Sequence, residues 1–107
     1  MINMYSIVYV TTSSEEESKK IGKAVVKENL AACANTIPHV LSIYRWDNKL
    51  CEDRESILFL KTKKDLVPTL IQKVKELHSY EVPAIVEIPL QDGHKDYFLW
   101  IEKNTRI

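Results

Sequence analysis

His78, Tyr80 and Glu81 stand within four residues of one another in "HSYEVPAI", next to an apolar run. Imidazole, phenol and carboxylate together could ligate a metal or exchange protons. A second group, Glu52, Asp53 and Glu55 in "CEDRES", could join Glu81 in an oxygen-rich site for a hard cation. Strand alternation sets Asp53 and Glu55 on one face and Glu52 on the other, and cross-strand or inter-subunit pairing with Arg45, Arg54 or Lys61 competes with any metal. Cys33, among Ala31, Ala32 and Ala34, has the surroundings of a small buried hydrophobe, whereas Cys51 lies near a turn and is the more reactive thiol. Tyr44 and Trp46 in "SIYRW" form an aromatic platform, and "KTKK" at 61–64 is a basic patch. Base stacking on such a platform is the rival to interface packing, but no RNP signature accompanies it.

Bulk properties exclude several classes. The 107 residues carry 15 basic and 15 acidic side chains, so no net field recruits nucleic acid or an anionic membrane. Apolar residues make up 45% and charged residues 28%, ordinary for a soluble single domain spanning 1–107. No apolar run approaches the ~20 residues of a membrane span. "MINMYSIVYV" lacks the basic start and small-residue cleavage site of a secretory signal, and two cysteines without CxxC spacing fit a reducing, cytoplasmic setting. Gly22 and Gly93 are the only glycines, which excludes glycine-rich phosphate loops.

The elements that must position these groups follow from periodicity. "MYSIVYVT" at 4–11 alternates as a strand. Ser14 and Glu17 match a capping box with acids in the first turn, opening a helix over 15–29 in which Ile21, Ala24, Val25 and Glu28 share a face. Two extended runs, Cys33–Trp46 and Lys49–Thr62, meet at Asp47-Asn48, a pair that tolerates positive φ, and so form a long hairpin mildly broken at Pro38. Asp65 is positioned to cap a second helix with Pro68 in its first turn and Val67, Leu70, Ile71, Val74 and Leu77 on its apolar stripe. A fourth strand over 84–90 and a short helix in "HKDYFLWIEKN" complete a β-α-β-β-α-β order. This is the α+β, ferredoxin-like arrangement: a four-stranded antiparallel sheet with two helices on one face. The sheet is apolar on both faces, at Ile7 and Tyr9 as well as Val8 and Val10, so a partner surface is implied, most economically a second copy of the chain.

Five stretches in order, "LAACAN" at 30–35, "SIYRW" at 42–46, "ILFLKT" at 57–62, "HSYEVPAI" at 78–85 and "DYFLWI" at 96–101, resemble the CutA divalent-cation-tolerance family. The resemblance implies a homotrimer whose long hairpin reaches its neighbours, a shape similar to the nitrogen-regulatory PII trimers, and a role in tolerance of copper and other divalent metals without an established reaction. Relatives with a proposed copper site carry cysteine at the position of Thr11 and paired histidines at positions 77 and 78. Here Thr11 and Leu77 leave His78 as the one carried-over metal ligand, so copper or another divalent cation would be held weakly. Many relatives also have proline where Ser79 stands.

The expectation is a non-enzymatic, cytoplasmic homotrimer, needing no cofactor, that acts as a scaffold or small-ligand sensor. Its inter-subunit cleft would be lined by Arg45, Trp46, Glu55, Lys61, His78, Tyr80 and Glu81, with Trp46 and Tyr80 as aromatic walls and Arg45 and Lys61 holding an anion. The alternatives are a structural scaffold for a membrane or redox protein, and an enzyme acting on a small anion with His78 as acid–base.

Overall fold

The computed structural model describes residues 4–106. Four strands, β1 (Tyr5–Thr12), β2 (Cys33–Trp46), β3 (Lys49–Lys63) and β4 (Ile85–Leu90), form one antiparallel sheet in the order β2-β3-β1-β4. Helices α1 (Glu15–Lys27) and α2 (Val67–Leu77) cover one face, and α3 (Lys95–Lys103) lies against part of the other. Alternation does the sorting: Ser6, Val8, Val10 and Thr12 of β1 are fully buried beneath the helices, with Leu58, Leu60 and Thr62 of β3 beside them.

Ser14 caps α1, its hydroxyl accepting from the Glu17 N–H, and Ile21, Gly22 and Val25 face the core. Gly22 is required by proximity, since a Cβ there would stand 3.0 Å from the Ala34 Cβ on β2. The helix ends two residues earlier than its periodicity suggests, in a Schellman motif. Asn29 adopts φ 59°, its N–H bonds the Val26 carbonyl, and the Leu30 N–H bonds the Val25 carbonyl. Glu28 therefore leaves the apolar face and pairs instead with Lys73 at 3.1 Å and Arg106 at 3.5 Å.

Asp65 does not cap α2. It sits in a 3₁₀ turn over Lys64–Leu66 that runs directly into the helix, so the backbone of that turn supplies the first acceptor and no side-chain cap forms. Pro68 occupies the first turn as expected.

The hairpin turns at Asp47 (φ 50°) and Asn48 (φ 61°), the type I′ geometry that matches strand twist. Pairing slips by one residue between Ile37 and Val40, where Pro38 and His39 oppose Ser56 and the Ser56 hydroxyl bonds the Pro38 carbonyl at 2.8 Å. This bulge reverses which residues of β2 face each way. Beyond it β3 has no partner but β2, so residues 40–55 form a free two-stranded ribbon on a molecule 44 × 26 × 22 Å across.

On the face away from α1 and α2, Tyr5 stacks on Phe98 at 4.8 Å, Ile101 is buried, and the Lys61 Nζ sits 5.4 Å from the Tyr97 ring centre. That covers one end of the face. Ile37, Val86 and Ile88 remain exposed on it. No helix of the described residues is long and apolar enough to cross a membrane.

Candidate functional site

The end of α2 is a junction tied in three directions. His78 takes an extended conformation and breaks the helix. Its ring is fully buried. Nδ1 accepts the Tyr80 N–H at 3.1 Å, which fixes the proton on Nε2, and Nε2 donates to the Thr11 carbonyl at 2.7 Å. The next residue, Ser79, donates its N–H to Glu17 Oε2 at 2.8 Å, while the N–H and hydroxyl of Ser13 each reach Oε1 at 2.9 Å. Burial alone would raise the pKa of Glu17, but these hydrogen bonds to its charged form outweigh it and hold the pKa at about 2. The carboxylate thus joins the start of α1 to the end of α2, a wider role than a local capping box.

Beyond the junction, Tyr80 crosses to the ribbon and donates to Glu55 Oε2 at 2.6 Å. Partial burial, that hydrogen bond and the charge of Glu55 push its phenol well above the usual range. Tyr44 makes the same kind of bond to Asp53 Oδ2, which raises its pKa to about 12. The two phenol–carboxylate pairs flank a cleft of about 630 Å³ whose other walls are Thr11, Ser42, Trp46, Ser79, Glu81, Val82 and Ala84.

The fold has close counterparts. A family model described as CutA1 divalent ion tolerance protein matches residues 6–104. The chain belongs to the CutA1 family. The "Divalent-cation tolerance protein CutA" of Thermus thermophilus is 44% identical over 102 residues, covering 95% of this chain and 99% of that one. A solved CutA1 structure from the same organism superimposes with a TM-score of 0.93, covering 96% of this chain and 100% of its own. Mouse "Protein CutA" is 40% identical over 94% of this chain, which spans 56% of the mouse protein.

Within this CutA1-family chain the expected site residues divide. Trp46, Glu55, Tyr80 and Glu81 line the cleft. His78 lies behind it with both nitrogens engaged, so it offers no free donor to a metal. With Thr11 and Leu77 in the other two positions, the residues present do not fit a copper ion held by one chain. Arg45 is on the opposite face of the ribbon, paired with Leu50, because the two-residue turn sets Ser42, Tyr44 and Trp46 on the face of Asp53 and Glu55 instead. Lys61 is directed at Tyr97 and away from the cleft. An anion therefore finds neither cation there within one chain.

The acidic group behaves similarly. Among the described residues no three His, Cys, Asp or Glu side chains converge as a metal site. Asp53 and Glu55 bond to tyrosines rather than to arginines or lysines, since the phenols share their face and Arg54 does not. Cys33 is partly exposed rather than fully buried, with Sγ 3.5 Å from Asn35 Oδ1, because the strand turns it away from the helices. The Tyr44–Asp53 pair was not anticipated from sequence. Its signal was present: a two-residue turn sets Tyr44 opposite Cys51, diagonal to Asp53 on the same face.

Proposed function

We infer that this chain serves divalent-cation tolerance as a non-catalytic, self-assembling scaffold, three copies joined through their ribbons, with the cleft beside Tyr80 as its ligand site. The observation that carries this reading is the apolar surface the chain cannot cover itself. Leu41, Ile43, Trp46 and Leu50 of the ribbon are 50–73% exposed, and Val86 and Ile88, on the far edge strand of the sheet, are exposed as well. Burying such side chains contributes roughly 1.5–3 kcal/mol each, which favours assembly over a solvated monomer. A ribbon that projects past its own sheet suits contact with a neighbouring copy. His78, the residue an enzymatic reading needs as acid–base, has both nitrogens bonded inside the chain, which favours the scaffold. The free thiols of Cys33 and Cys51 suit a reducing, cytoplasmic compartment.

Native mass spectrometry of untagged protein tests the assembly. A trimer is expected, and a stable folded monomer overturns the reading. Copper is expected to bind weakly, and Thr11→Cys with Leu77→His to tighten it in calorimetry. Tight copper binding by the unmodified chain, unchanged by those substitutions, would show that copper is held elsewhere.

A further inference from the structure

We propose that the cleft takes a small organic cation, an ammonium or guanidinium compound, in preference to an anion or a bare metal ion. This rests on the reading of the cleft as the ligand site and adds the chemical class of its occupant. Asp53, Glu55 and Glu81 supply the charge of the lining, to which this chain contributes no lysine, arginine or histidine. Tyr44, Trp46 and Tyr80 supply aromatic surface, and ring faces beside carboxylates attract cations.

The two phenols refine the choice. Each donates its proton to one carboxylate oxygen, Oδ2 of Asp53 or Oε2 of Glu55, and so holds that carboxylate in place. The second oxygen of each accepts no hydrogen bond from the described residues and remains available to an N–H donor. A hard metal ion needs six or more oxygens, roughly, around one point, and these carboxylates do not converge on one. Separated acceptors with aromatic walls suit a ligand that carries its own donors on an extended frame. The volume of about 630 Å³ is that of a small-molecule site.

Calorimetry on the full-length assembled protein tests this with three cations, putrescine, agmatine and tetramethylammonium, against succinate as an anion of similar length and against magnesium. At least one organic cation is expected to bind near one per chain, with succinate and magnesium silent. Glu55→Gln keeps an acceptor for Tyr80 but removes the charge, and should weaken the cation about tenfold. Trp46→Leu, compared at concentrations where sedimentation shows it still assembled, should weaken it too. Silence from all three cations, tighter binding of succinate or magnesium, or cation binding indifferent to Glu55→Gln overturns the proposal. So does a crystal structure of the assembly with a neighbouring copy's basic side chain in the cleft. Sedimentation of the same samples separates the two readings: an intact assembly that binds succinate in a Glu55-dependent way leaves the scaffold and its site standing and sinks only the cation.

Discussion

His78 acts on the backbone of two elements at once, and its removal should register accordingly. A histidine at an exposed helix end contributes about 0.5–1 kcal/mol through the helix dipole. Here the ring is fully buried and its loss strips the Thr11 carbonyl of its donor. His78→Ala is expected to cost roughly 2–3 kcal/mol in urea unfolding, since an orphaned buried acceptor alone costs about 1–3 kcal/mol. A cost below that of an exposed helix-end charge would mean the bond does not hold in solution. Glu17 makes a pH prediction. Its folded pKa of about 2 lies below the ordinary 4.5, so the folded protein binds the fewer protons between those values. Its contribution is complete above pH 4.5 and is lost as pH falls towards 2. Glu17→Gln should lower stability at neutral pH and flatten the fall across that acid window. An unchanged acid limb in the variant would assign the fall to other carboxylates.

Two asparagines in left-handed backbone decide where elements stop. Asn29 closes α1 at φ 59° and Asn48 closes the hairpin at φ 61°. A side chain with a simple Cβ costs about 1–2 kcal/mol in that region. Asn29→Ala should therefore lower thermal stability by about 1 kcal/mol, and Asn29→Gly should leave it equal or higher. Asn48→Val imposes the same backbone strain on a ribbon that contributes no residue to the core. It is expected to weaken self-association more than it lowers the melting of the folded chain. Sedimentation and calorimetry on one sample distinguish the two, and a large drop in melting with assembly unchanged would contradict this division.

At the scale of the molecule, the helix-covered face makes a closed core while the ribbon and much of the opposite face stay open. Trp46 is half exposed near the ribbon's tip, on the cleft side. Trp46→Ala should loosen the assembly by about 2–4 kcal/mol, the scale of a large aromatic anchor at an interface. The concentration dependence of sedimentation reads this directly. An assembly as tight as the unmodified protein's would remove the ribbon from the interface.

What the sequence determined by itself is what depends on neighbours along the chain. Alternation in "MYSIVYVT", the helical stripes, and the tolerance of Asp47-Asn48 for positive φ are local properties, and they place every strand and helix within about two residues. The two-faced apolar sheet follows from the same alternation. Tertiary structure decided what depends on a count of residues elsewhere or on a partner far away. One extra residue at the Pro38 bulge reverses the faces of β2, so Ala34 faces the helices while the even-numbered Ser42, Tyr44 and Trp46 beyond it face the other way, into the cleft. Asp65 looked like a cap until a preceding turn supplied the backbone acceptor in its place. His78 had the chemistry of a ligand, but Thr11, 67 residues away, takes its Nε2–H, and only the packed sheet brings that carbonyl within 2.7 Å. Residue type sets what a side chain is able to bond; the fold decides which partner arrives first.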